Sequence, residues 1–269
     1  MRLVGSHLRR LLRRPATWIT LVLLAAMIAL VFVALAATAE QAASQPGGAA
    51  ILSLLTFPIA YAFVLAFVID IGSLFAVIYF AAVAGSEWNW GTFKNAVARG
   101  ESRSRYVLSA FVALALMAGA GMLLVFVIGV GSALAGAGIA GVGTDGVGDR
   151  DTLLGLPNQL WRGWLALAEA GAIGFAFATV ARSTLAGVGA GVALYFIEGF
   201  ASLLLPDIVR WLPFSAASSV IAGADTTGLQ GGAAGTPLEP GVALVVVLAW
   251  LVGSLVVAAV FSERAEITG

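Results

Sequence analysis

The sequence predicts an all-α, polytopic membrane protein with six transmembrane helices, and three observations carry that reading. First, 61% of the 269 residues are hydrophobic and only 10% are charged, with a mean hydropathy of +1.02. A soluble domain of this size carries roughly a quarter of its residues as charges. Second, the apolar residues fall in runs long enough to span about 30 Å of hydrocarbon. Third, Lys and Arg are divided unequally between the two sets of connecting segments: eleven on one set, against Arg150, Arg162 and Arg210 on the other. That asymmetry places the richer set, with both termini, on the cytoplasmic side of the cell membrane. Net charge is zero, so the chain as a whole offers no attraction for nucleic acid. The lack of cysteine excludes disulfides and thiol chemistry.

Residues 1–15 read as an amphipathic interfacial helix. At 100° per residue Val4, Leu8, Leu11 and Leu12 share an arc of about 100°, and Arg2, Arg9, Arg10, Arg13 and Arg14 fall opposite. Such a helix lies along the headgroup layer, its arginines drawn to anionic lipid. His7, the only histidine, has no second ligand nearby and is assigned no chemistry. The apolar run from Ala16 to Ala37 exceeds a signal-peptide core, although ALAATA (34–39) resembles a cleavage site, so it reads as an uncleaved first span.

A polar outer loop, 40–48, follows. The apolar stretch from Ile51 to Ala84 would be about 51 Å long as one helix, too long for a simple crossing. The sequence therefore predicts a surface piece over 51–58, broken near Pro58, and a second span over 59–84. Span 3 covers 106–131 and gives way to a glycine-rich outer loop, 136–157, whose Asp145, Asp149 and Asp151 do not have calcium-loop spacing. Span 4 (160–181) and span 5 (184–205) form a tight hairpin around Arg182 and Ser183. An outer segment, 206–240, precedes span 6 (241–261) and a short cytoplasmic tail, 262–269. All six spans form a single domain, 16–261. Trp18, Trp88, Trp90, Trp161, Trp164 and Trp211 fall at the expected interfaces, as an aromatic belt requires.

The segment organising the cytoplasmic side is 85–105. Glu87 marks the exit of span 2. Gly91 and Thr92 start a short helix with Thr92 as N-cap, Phe93 to Arg99 form about two turns, and Gly100 ends them. The helix is basic through Lys94 and Arg99, and the expectation is that Phe93 and Val97 sit on its surface, to be gripped by another protein.

No stretch matches a phosphate-binding loop, and Lys94, the only lysine, lacks the preceding glycine pattern. With no histidine in any span and no cysteine, zinc-protease and histidine-based hydrolase chemistry are excluded. The chain is read as no enzyme, with no cofactor of its own. Three acids lie inside spans, Asp70, Glu169 and Glu198, where each must face protein or a wet cavity. Gly187, Gly191, Tyr195, Glu198 and Ser202 form one stripe of span 5, with small residues permitting close approach at one end and polar groups at the other. Asp70 shares a face with Ala66 and Ser73, and Glu169 lies beside the small stripe Ala166, Ala170 and Gly174. Two readings of these acids stand: hydrogen-bonding contacts between helices, or the lining of a substrate path through Asp70, Tyr195, Glu198 and Ser202.

The chain resembles a type-2 ABC transporter permease, the six-helix membrane subunit of an ABC exporter. The resemblance rests on the basic amphipathic helix before span 1, on GSEWNWGTFKNAVARGESRSRY (85–106), and on LLPDIVRWLPFS (204–215), which is similar to an outer re-entrant segment. Ser109 stands where many relatives carry lysine. The resemblance implies that Phe93 to Arg99 form a coupling helix seated on a separate ABC ATPase subunit, which holds the ATP and magnesium. Glu87 would link that helix to the bundle, with Gly91, Thr92, Phe93, Lys94, Val97 and Arg99 in the contact. A second permease copy or homologue would face spans 2 and 5 across the pathway. Two other classes remain open from the residues: an ion- or proton-coupled secondary transporter using the three acids, and a non-transporting membrane scaffold.

Overall fold

The computed structural model describes residues 2–221 and 237–264. The predicted outer stretch at 222–236 and the tail at 265–269 lie outside the described residues. Every regular element among the described residues is helical, and six helices are long and apolar enough to cross a membrane.

Helix α1 (Arg2–Leu12) leads into α2 (Pro15–Ala37), which starts on a proline whose missing N–H costs nothing at that position. Two short helices follow, α3 (Ala39–Ala43) and α4 (Gly48–Ser53), and the long α5 (Ile59–Asn89) starts after Pro58, as the length argument required. α5 does not stop at residue 84. It continues to Asn89, because Ala84, Gly85, Ser86 and Glu87 are buried against neighbouring helices and that packing extends the helix beyond its apolar core. The polar connection shrinks to Trp90 and Gly91 before the short α6 (Thr92–Ala98).

α7 (Arg103–Ala140) corrects the expected glycine-rich loop: it runs through Gly136 and Gly138 to a left-handed stop at Gly141. Gly136 lies against Leu55 and the Phe32 carbonyl, so close packing with α2 outweighs low helix propensity there. A turn of 3-10 helix, Asp145–Gly148, then leads to α8 (Arg150–Ala181), capped by Asp149, whose carboxylate accepts from the Thr152 amide at 2.9 Å. Asp149 is thus a helix cap, and no cluster of metal-ligating side chains occurs among the described residues. α9 (Thr184–Ala201) ends four residues short of expectation. It is followed by α10 (Pro206–Val209), α11 (Pro213–Ser219) and finally α12 (Pro240–Glu263). The α8–α9 turn places Arg182 in the left-handed region (φ 49°) and Ser183 at the N-cap of α9, its hydroxyl accepting from Ala186.

The centre of the bundle is the crossing of α5, α8 and α9. A Cβ at Gly174 would collide with the Val77 carbonyl, one at Gly191 with the Val77 side chain, and one at Gly187 with Ala178. Three glycines therefore let three helices meet backbone to backbone around Val77. α2 packs chiefly along α7, and α12 chiefly along α8. Two of the expected belt tryptophans are interhelical instead. Trp164 donates to the Ala115 carbonyl of α7 at 2.7 Å, and Trp88 packs on Phe93 with ring centroids 4.3 Å apart.

Gly174→Ala should lower the thermal midpoint of the detergent-solubilised protein, a loss of about 1–3 kcal/mol from overpacking. Gly189→Ala, with open space at its Cβ, should leave the midpoint unchanged or raise it, as Ala is the better helix former.

Candidate functional site

Two groups of polar side chains stand out, one at the α1 end of the bundle and one inside it. The first is built on Glu87, in the last turn of α5 and only 7% exposed. Its Oε1 lies 3.4 Å from Arg10 Nη1 and 3.7 Å from Arg14 Nη2, and its Oε2 accepts from the Tyr106 hydroxyl of α7. Arg10 also donates to Tyr106 at 3.2 Å and to His7 Nδ1 at 2.8 Å. Arg14 reaches Ser86 Oγ at 3.1 Å and lies over the Trp90 ring. One buried carboxylate thus ties α1, α5 and α7 together.

This corrects the placement of α1. The expected apolar arc is only partly its inward face: Leu11 is buried, and Val4 and Leu8 are half-buried against the same cluster. Leu3, His7 and Arg10 join them on the inward side, Arg14 turns in from the N-cap of α2 just past the end of α1, and Leu12 is exposed. The helix is turned by roughly 70° from the orientation that hydrophobicity alone selects, because Glu87 draws Arg10 and Arg14 inward. α1 accordingly packs on α7, and the side chain of Arg2 lies outside the described residues. His7, assigned no role from sequence, is buried with its ring edge-on to Tyr106. Burial, reinforced by the neighbouring Arg10 and Arg14 charges, lowers its pKa to about 4.

α6 sits beside this cluster. Its N-cap is Gly91 rather than Thr92. Gly91 holds φ 67°, which a side chain rarely adopts, and Thr92 is the first helical residue and makes no side-chain cap bond. At the other end Gly100 (φ 90°) completes a Schellman stop, its amide bonded to Val97 and that of Glu101 to Ala96. Phe93 overturns its expected exposure: it is 1% exposed, packed between Trp88 and Tyr106. Ala96 is buried as well, Val97 is half-buried, and the face turned outward carries Lys94, Asn95, Ala98 and Arg99. A cleft of about 390 Å³ separates α6 from α1, lined by Ser6, Arg10, Thr92, Arg99, Glu101 and Tyr106.

The other chain segments at this end are tied to the same corner. Thr184 of the α8–α9 turn meets Gly85 closely and accepts from Asn89 Nδ2 at 3.2 Å, and Arg182 lies over Trp88. Glu263, closing α12, accepts from the Ser104 amide at 2.9 Å, so the first turn of α7 is capped by another helix and not by Ser102.

The inner group lies where α5, α8, α9 and α11 meet. Glu198 is 1% exposed, and its Oε1 accepts from the Ser215 amide in the first turn of α11. Its Oε2 finds no hydrogen-bond partner among the described residues, nor do Ser73 Oγ and both oxygens of the fully buried Glu169. Glu169 and Glu198 are electrostatic neighbours, and Tyr195 lies within the field of both Glu198 and Asp70. Tyr195 donates to the Asp70 carbonyl at 3.1 Å and packs on Phe214 of α11. Asp70, Tyr195, Glu198 and Glu169 thus lie in one region across three helices, joined directly only by the Tyr195 bond to the Asp70 backbone, and this region includes the acid that the sequence set among packing residues. Ser202 does not join it: its hydroxyl turns back to the Gly199 carbonyl.

No protein-family model matches the sequence, and no curated protein is significantly similar to it.

Two outcomes follow. Glu87→Ala should cost about 2 kcal/mol, the worth of hydrogen bonds to a charged group reduced by the partial exposure of the arginines, and hydrogen exchange should show α1 loosened. For His7, the folded pKa lies below the ordinary 6.5, so the unfolded chain binds the extra proton first. Stability should fall as pH drops below about 6.5 and level off near 4 on this account. His7→Gln should flatten that part of a thermal-midpoint profile.

Proposed function

We propose that the chain is the membrane permease subunit of an ATP-driven exporter of the type-2 ABC class, with both termini cytoplasmic. α6 is then the coupling helix, and α10 and α11 the outer re-entrant segment. The observation that carries the reading is the construction of α6. A two-turn helix held between left-handed glycines is fixed to the bundle by its buried Phe93 and Ala96, and presents Lys94, Asn95 and Arg99 outward. A seven-residue helix has too few hydrogen bonds to persist alone. Anchored at the shared corner of α1, α5 and α7, it transmits displacement to three helices at once. The sequence contains no phosphate-binding loop, so on this reading hydrolysis, with ATP and magnesium, belongs to a separate ATPase subunit.

On this reading ATP-driven closure of two ATPase subunits moves α6, the Glu87 cluster carries the motion into α5, and a second permease copy or homologue completes the pathway. Nucleotide binding to the partner supplies the differential free energy that such a switch requires. Asp70, Tyr195 and Glu198 line the path. A second reading, ion- or proton-coupled transport, is favoured by one specific observation, the two unpartnered oxygens of Glu169.

Purification from native membranes in mild detergent tests the first reading. An ATPase subunit at one copy per permease, with vanadate-sensitive hydrolysis, is expected, and Arg99→Glu on the exposed face should reduce its recovery severalfold while leaving the permease folded. Recovery of the chain alone, without hydrolysis, contradicts the reading and favours the second. Phe93 is no probe of this contact, because its substitution disrupts the core.

A further inference from the structure

Between α2, α5 and α7 lies a cavity of about 70 Å³ that reaches Leu167 of α8 at the middle of the bundle. Its depth comes from small residues, Gly72 and Ala76 on α5 and Ala118 and Gly121 on α7. Half-exposed Thr20, Phe75 and Met117 form the rim. α2 packs along α7 and makes fewer contacts with α5, which leaves a seam between α2 and α5. The wall is apolar almost throughout, so water gains no partners inside it, and an unfilled slot forfeits dispersion contacts.

At one end the wall turns polar. Thr17 and Tyr79 share a hydroxyl hydrogen bond across the α2–α5 seam. Just beyond it Arg14 spans the same seam, from the start of α2 to Ser86 and Glu87 of α5. Glu87 neutralises only one of Arg10 and Arg14, and the exposed Arg9 and Arg13 add to the surplus positive charge. An apolar slot within membrane-spanning helices, closed at headgroup level by arginines that share a single carboxylate, has the chemistry to take an anionic amphiphile.

We propose that this slot binds one acyl chain of an anionic phospholipid from the leaflet on the α1 side, with its phosphate at Arg14. The bound chain braces α2 against α5, on the seam adjoining the Glu87 cluster. The site stands whether or not the chain is an exporter subunit.

The test exchanges the purified intact protein with dioleoyl phosphatidylglycerol or dioleoyl phosphatidylcholine and counts retained lipid by native mass spectrometry. Phosphatidylglycerol should be retained roughly fivefold over phosphatidylcholine, the effect of one basic residue at the membrane surface, and Arg14→Gln should bring the two to parity. Ala118→Leu, which fills the slot, should cut retention of both severalfold, and Thr20→Phe should do so from the opposite wall. Equal retention of the two lipids by the wild-type chain, or undiminished retention in a folded slot-filling variant, overturns the proposal. If neither variant folds, a chain-labelled phosphatidylglycerol on the wild-type protein decides. A motionally restricted component supports the site, and its absence overturns it.

Discussion

A single carboxylate, Glu87, sets the geometry of the α1 end of the molecule. A buried acid in the last turn of a membrane-spanning helix is tolerable only with partners, and it collects them from far along the chain: Arg10 and Arg14 from one direction, Tyr106 from the other. Satisfying it rotates α1 away from its most apolar orientation, holds α5 helical to Asn89, and fixes the start of α7. Tyr106 in turn forms one wall of the pocket for Phe93, which fixes α6. The exposed basic face of α6 is thus positioned by the same ion cluster that anchors α1.

Inside the bundle the constraint is steric. Gly174, Gly187 and Gly191 allow α5, α8 and α9 to cross at backbone contact around Val77. About two turns along α9 from that crossing lies Glu198, and about one and a half turns along α8 lies Glu169. Glu198 is partly explained by its bond to α11, a contact that ties the segment after α9 to the core. Glu169 has no such explanation among the described residues. A close small-residue crossing thus lies near acids whose hydrogen bonding is incomplete among the described residues.

Much of the fold was legible because hydropathy and length act through the bilayer: six spans, the break at Pro58 and the Arg182 hairpin all emerged from those two quantities. Helix ends were read less well. Residues 85–89 and 136–140 look like loop by composition, yet tertiary packing of Glu87 and Gly136 keeps them helical. Glu87 itself was visible as an acid at a span's end, and the glycine that ends α6 was visible too. Its partners were not, since nothing local marks Arg10, Arg14 or Tyr106 as neighbours. The available signal is the spacing of four and three that sets Leu3, His7 and Arg10 on one stripe of α1, with Arg14 just beyond its end. The orientation of Phe93 was misjudged because a two-turn helix has two faces, and only the bundle beside it decides which is inside.

On the proposed reading, the outward face of α6, fixed to the bundle through Phe93 and Ala96, meets an ATPase. Since the chain contains no cysteine, Asn95→Cys gives it a single thiol on that face, and the purified protein labelled there with a photoactivatable crosslinker can be returned to native membranes. The account predicts a single prominent adduct with a nucleotide-hydrolysing subunit, and its loss when the label is moved to an exposed position at the opposite end, such as Ala49→Cys. Adducts confined to lipid, or equal capture of the same protein from both positions, would contradict it.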